Sequence, residues 1–180
     1  MKKLIFISLL FSILSLSVSA QKPTKAEKAA QLEQEFQQTR QLIESNHFQF
    51  ELNRVYPQDG QDLSRFNPRG KFVITDSVAK GTLPFFGRAY SLPYGEGGGI
   101  EFDGVMKDQS LKIEHKKKRK ILIYRFSITA KNDTYQISME ISGGGNCSVN
   151  LNSNNRAQIS SSRTVSPVKD LSLIHISEPT

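Results

Sequence analysis

From Lys120 to Ser162 the chain alternates. "ILIYRFSIT" puts Leu122, Tyr124, Phe126 and Ile128 on one side of an extended segment. "TYQISMEIS" does the same with Tyr135, Ile137, Met139 and Ile141, leaving Gln136, Ser138 and Glu140 opposite. Successive side chains of a strand point to opposite faces, so a period of two describes strands buried on one side only. Between these segments stand "AKND", "GGGN" and "NSNN", whose Gly, Asn and Asp residues suit tight turns. The pattern continues upstream. Phe48, Phe50 and Leu52 alternate with Gln49 and Glu51, "KFVITDS" and "SVAKGTLPFF" flank an Asp-Ser corner, and "GIEF" and "SLKIEH" follow. An antiparallel meander of about eight or nine such strands must close on itself or stack in two layers, because a flat sheet leaves one apolar face in water. The expected fold is therefore mainly β, a barrel or a sandwich over residues 47–166. An outer-membrane barrel fits less well, because the segments are short and their outward faces polar.

One helix is expected ahead of this meander, within residues 21–46. In "PTKAEKAAQLEQEFQQTRQLIES", Ala29, Leu32, Phe36 and Ile43 fall near one stripe, with Ala26 and Leu42 flanking it. Thr24 and Glu27 have the S/T-x-x-E spacing of a capping box. The stripe is narrow, which suits a helix laid across an edge or open end.

The two ends read differently from the middle. Lys2 and Lys3, the run "LIFISLLFSILSL" and the exit "SVSA" describe a secretory signal over residues 1–20, cut after Ala20. The tail spans residues 167–180, and its last ten, "LSLIHISEPT", resemble a translated sequencing-library adaptor. His175 and Glu178 are accordingly given no functional weight. What lies between is about 150 residues, one domain able to bury roughly 70% of its unfolded surface without disulfides. The single cysteine, Cys147, alternates in phase with Val149 and Leu151 and reads as a small core residue. The formal net charge of +7 favours anionic surfaces only weakly and does not argue for nucleic acid.

The stretch "FFGRAYSLPYGEGGGIEFDG", Phe85 to Gly104, is the loudest candidate site. It is no phosphate cradle: the position three after Gly97 is Ile100, opening a strand, and no Lys-Ser/Thr follows Gly99. A structural corner is the favoured reading. The alternative is a ligand mouth in which Arg88, Tyr90, Tyr94 and Glu96 are the binding residues, Arg88 stacking on a ring or holding a carboxylate. "HKKKRK" reads first as a solvated hairpin tip. Its functional alternative is weak contact of Lys116–Lys120 with an anionic membrane or polysaccharide. His47, His115 and one cysteine make no metal set, and no cofactor is indicated. Glu101 and Asp103 share a strand face and are the one carboxylate pair a hydrolase would use.

"LPFFGRAYSLPYGEGGGIEFDG", "NDTYQISMEIS" and "SVNLNSNNRAQIS" together resemble DUF4251, a family of exported Bacteroidetes proteins, over about residues 42–162. The chain departs from that family at Ser161, Ser162 and Arg163, where Tyr-Ser-Gly is usual, which puts the end of the last strand in question. The resemblance implies an exported, mostly β domain behind an N-terminal helix, and implies no activity. The functional expectation is a periplasmic or secreted, non-enzymatic domain binding a small ligand or envelope partner through loop 84–104. The alternatives are a structural envelope protein without a small ligand, or a hydrolase using Glu101 and Asp103.

Overall fold

A computed structural model describes residues 24–57, 60–66, 68–86, 89–90, 99–116, 119–130 and 133–168. The chain divides into two units at Gln31 and Leu32. Of the first unit, the described part is the start of helix α1 (Lys25–Glu44). Its capping box is formed: the Glu27 amide donates to Thr24 Oγ1 at 3.2 Å, and the Thr24 amide to Glu27 Oε2 at 2.6 Å. Orphan donors of the first turn are thereby satisfied.

The second unit holds eight strands: β1 (His47–Pro57), β2 (Gly70–Thr75), β3 (Val78–Leu83), β4 (Ile100–Lys116), β5 (Arg119–Thr129), β6 (Thr134–Ser142), β7 (Asn146–Ser153) and β8 (Ile159–Pro167). Each pairs antiparallel with the next, and β8 returns to β1, making a closed barrel. Of the two architectures expected, the barrel is the one formed. Closure also selects eight over nine. In an up-and-down meander only an even strand number brings the last strand antiparallel to the first, as Phe48↔Pro167 through Pro57↔Ile159 do. β8 does not stop at Ser161–Arg163. It runs on to Pro167, paired on one side with β7 and on the other with β1.

The alternating residues fill the interior. Phe48, Phe50, Phe72, Ile74, Leu122, Ile128, Met139 and Ile141 are fully buried, and Cys147 lies among them as a free thiol. Burial pushes that thiol well above its ordinary range, so it is an inert core side chain. Phe72 sits centrally, 5.2 Å from the Phe50 ring and 5.9 Å from that of Phe102. Gly81 stands level with Phe72 on β2 and Phe102 on β4. A Cβ there would come within 2.2 Å of the Phe72 Cβ, so the missing side chain is what lets three strands bend around that ring.

The second half of α1 covers the end of the barrel where β5 starts and β6 ends. Its packed seam is Phe36, Thr39 and Ile43. Leu32, expected on that seam, is 63% exposed, and Ala29 is exposed as well. The cause is the Gly143 turn, which approaches the helix backbone itself: a Cβ at Gly143 would be 3.3 Å from the Phe36 amide nitrogen and 3.5 Å from the Leu32 carbonyl. Thr39 takes a core position because its hydroxyl donates to the Glu35 carbonyl at 2.8 Å. Beyond the helix, Asn46 (φ 48) and the bulge at Asp108 (φ 53) bring Asn46 Oδ1 and Gln109 Oε1 to 3.1 and 3.0 Å from the Tyr124 hydroxyl. That hydroxyl donates to one of them at a time.

Two measurements follow. Gly81→Val should lose ~3 kcal/mol of unfolding free energy through overpacking, read as a lowered urea midpoint. Gly104→Ala should be nearly neutral, because its nearest neighbour would be 3.5 Å away. Burial pushes the Tyr124 phenol up to about 12 from 10.0. Its folded value is raised, so the neutral phenol's contribution is complete below pH 10 and lost as pH climbs toward 12. Urea midpoints of the wild type should therefore fall between those limits relative to Tyr124→Phe.

Candidate functional site: an outer cleft and a strapped loop

The loop between β3 and β4 lies at the end of the barrel opposite α1, as strand direction requires. Its first residues pack inward: Phe85 and Phe86 are half-buried against the core. It is then strapped to the β7–β8 turn. Ala89 bridges Arg156, and the Tyr90 amide donates to the Asn155 carbonyl at 2.8 Å. Arg156 is only 6% exposed, and its guanidinium lies 5.1 Å from the centre of the Phe85 ring. A cation over an aromatic face gains most where water is excluded.

Of the four residues expected to bind, Tyr90 is 66% exposed. Arg88, Tyr94 and Glu96 lie outside the described residues. Among the described residues, the cation over Phe85 is Arg156. Arg156 was not among the residues expected at this site. Its only signal was position, directly after "NSNN" and before an alternating run.

A second feature emerges only from register. A cleft of about 1070 Å³ opens on the outer face of β1–β4, toward the same end of the barrel as the loop. Cross-strand partners set its rows: Glu51, Lys71, Thr82 and Glu101 lie level, as do Val73, Lys80 and Asp103. The lining carries four cations (Arg69, Lys71, Lys80, Arg163) and three anions (Glu51, Glu101, Asp103). Lys80 Nζ meets Asp103 Oδ2 at 2.6 Å, and that hydrogen bond holds the ammonium above its ordinary range. Arg163 approaches Glu51 at 3.6 Å. Arg69, Lys71 and Glu101 make no ion pair among the described residues. Glu101 and Asp103 thus do share a face and a cleft, with Asp103 already engaged by Lys80.

The basic hairpin is partly neutralised. Lys116 Nζ binds Glu140 at 2.8 Å, and Lys120 Nζ binds both Glu33 oxygens at 2.9 Å. The Lys120 hydrogen bond, with a second from Gln37, keeps the Glu33 carboxyl below the usual range. Lys117 and Lys118 lie outside the described residues. Among the described residues no group of three or more His, Cys, Asp or Glu side chains gathers in a metal-binding arrangement.

A closed eight-stranded antiparallel barrel, its interior occupied by apolar and aromatic side chains and one end capped by a helix, defines the class. The family model described as "Domain of unknown function (DUF4251)" matches residues 30–162, and the chain belongs to that family. A crystal structure of a DUF4251 family protein from Bacteroides eggerthii DSM 20697 is similar, with a TM-score of 0.54 and 23% identity. The match covers 77% of this chain and 91% of that one, and at this identity it speaks for the fold alone. No curated protein matches the chain.

The strap makes a prediction. Arg156→Ala removes the cation over Phe85 and should speed hydrogen exchange of the Tyr90 amide by about tenfold or more, equivalent to ~1.4 kcal/mol of local stability. Exchange of the Phe126 amide, deep in β5, should change far less.

Proposed function

We propose that this chain is an exported, non-catalytic binding domain, periplasmic or secreted, that takes its ligand or envelope partner on the outside of the barrel. The binding surface is the cleft over β1–β4, including the part of loop 84–104 that Glu101 and Asp103 end. The observation that carries this reading is the cluster of buried aromatic rings inside the barrel. Small barrels hold a ligand inside only when side chains leave room for it, and here the Phe72 cluster occupies that space. The outer cleft, at about 1070 Å³, is then a concavity of the size that takes drug-sized ligands. Export is supported by the charged, apolar and small-residue run of residues 1–20. No described helix is long and apolar enough to cross a membrane.

The hydrolase reading has one observation in its favour: Glu101 and Asp103 both line the cleft. Acid–base work would require Asp103 to leave Lys80 during turnover. Binding without turnover requires no such rearrangement.

The test uses Thr82, an exposed residue level with Lys71 and Glu101. Thr82→Trp fills the cleft without touching the core. Wild-type protein, purified from its host and weighed by native mass spectrometry, should carry an added mass that the folded Thr82→Trp variant lacks. Equal capture by both removes the cleft from the function and leaves a structural envelope role. Consumption of the captured mass by wild type but not by Glu101→Gln favours the hydrolase.

A further inference from the structure

We infer that the outer cleft ends in an open stretch of β4 that takes one added strand: an extended peptide segment of a partner protein, with a basic side chain opposite Glu101. This deepens the proposed use of the cleft and rests on it.

β4 is not paired on both sides along its whole length. Ile100–Val105 pair with β3 alone, and pairing with β5 begins only at Met106. The end of β5 reaches the level of Gly104, where a Cβ would be 3.5 Å from the Thr129 carbonyl. The chain then turns, the Ala130 amide donating to the Asp133 carbonyl at 2.8 Å. Among the described residues no strand lies beside Glu101, Phe102 and Asp103 on that side. These three residues line the cleft, together with Thr129 and Ala130.

One hydrogen bond fixes which backbone groups face the open side. The Met106 amide donates to the Ser77 carbonyl at 2.7 Å, continuing the β3–β4 register by one pair. Backbone groups of successive residues in such a ladder point to alternate sides. Gly104, Phe102 and Ile100 therefore turn theirs toward β3. Glu101 and Asp103 each turn one N–H and one C=O toward the open side. They are two residues apart, ~7 Å, which is the repeat of an extended chain. A strand laid there exchanges both bonds with each of them. A helix has used its backbone groups internally, and a polyproline II chain repeats every three residues, so neither matches.

Charge decides between a partner and a second copy of this chain. The side chains that flank the open groups are Glu101 and Asp103, both exposed. Two copies joined antiparallel along this stretch would set edge-facing residues opposite one another, acid against acid, which is unfavourable. Charged side chains on an open edge deter self-pairing in this way. A partner strand with Lys or Arg at alternate positions puts opposite charges there instead. Asp103 already holds Lys80 at 2.6 Å, so Glu101, without an ion pair among the described residues, is the carboxylate that selects the base. The residue between the two bases turns inward with Phe102, which is buried, and is apolar.

The probe is a capped pentapeptide, Thr-Lys-Val-Lys-Thr, titrated into the ¹⁵N-labelled mature protein. Two controls keep every side chain and add N-methyl groups, on both lysines in one and on the valine in the other. A third control replaces both lysines with glutamate. The expected result is slowed hydrogen exchange at the Glu101 and Asp103 amides, with the Phe102 amide, which faces β3, little changed. N-methylation of the lysines, whose backbone groups face β4, should weaken binding about tenfold or more, and that of the valine less than about twofold. The glutamate peptide, and Glu101→Lys with the first peptide, should each bind about threefold or more weaker. Equal binding of the two N-methylated peptides, or shifts confined to Lys71 and Thr82, overturns the inference. Protection of the same amides in the protein alone, rising with its concentration, makes the occupant a second copy and overturns it too. If the peptide protects neither amide while Thr82→Trp still abolishes capture from the host, the cleft keeps its role and loses this occupant. If Thr82→Trp captures normally, both readings fall together.

Discussion

The ladder between β8 and β1 is the contact on which everything else depends. Without it the meander is an open sheet with two bare edges and one apolar face in water. With it, the inward residues of eight strands meet across a shared axis. Closure converts a local rule, one apolar residue in every two, into a long-range arrangement in which Phe72 of β2 packs near Phe126 of β5. It also determines where function can lie. Once Phe48, Phe50, Phe72, Phe102 and Tyr124 occupy the interior, the ends and the outer surface are what the molecule has left to offer.

Closing so small a barrel around so many rings demands irregularities, and they fall where the side chains require them. Gly81 yields its Cβ to Phe72. β1 is bulged between Leu52 and Arg54. β4 is bulged between Lys107 and Ser110, with Asp108 at positive φ and its carboxylate accepting a hydrogen bond from Ser127 at 2.9 Å. Bulges bend a strand and re-aim the residues after them. The second one aims Gln109 at Tyr124, and so ties the wall of the barrel to Asn46 at the base of the helix.

Much of this was legible in the sequence, and the reason is physical. A strand buried on one side writes its burial in every second residue, so Leu122 to Ile128 and Tyr135 to Ile141 announce themselves without reference to any neighbour. The choice of barrel over sandwich was not written there, because both satisfy the same alternation. Neither was the fate of Leu32: it obeys the helical period and still meets solvent, because the Gly143 turn takes up the backbone and leaves the side chain outside. The cleft was half legible. Glu101 and Asp103 could be seen to share a face, being two apart on one strand. Their neighbours Lys71, Thr82 and Lys80 lie about twenty to thirty positions away and are brought level only by register. Arg156 was hidden for the same reason, since its partner Phe85 belongs to a different hairpin.

The position of the charges bears on the proposed binding role. Here Lys80 finds Asp103, Lys116 finds Glu140 and Lys120 finds Glu33, whereas Lys71 stands level with Glu51 and makes no ion pair among the described residues. Each such pair is worth little in water, typically less than ~1 kcal/mol. Lys71 and Glu101 are held apart by Thr82, one strand too far to reach each other. Replacing that threonine with an acid or a base would give one of them a partner at negligible cost to the barrel. An uncharged, compact residue between two opposite charges leaves both solvated and the space between them open, the arrangement on which the proposed binding role draws.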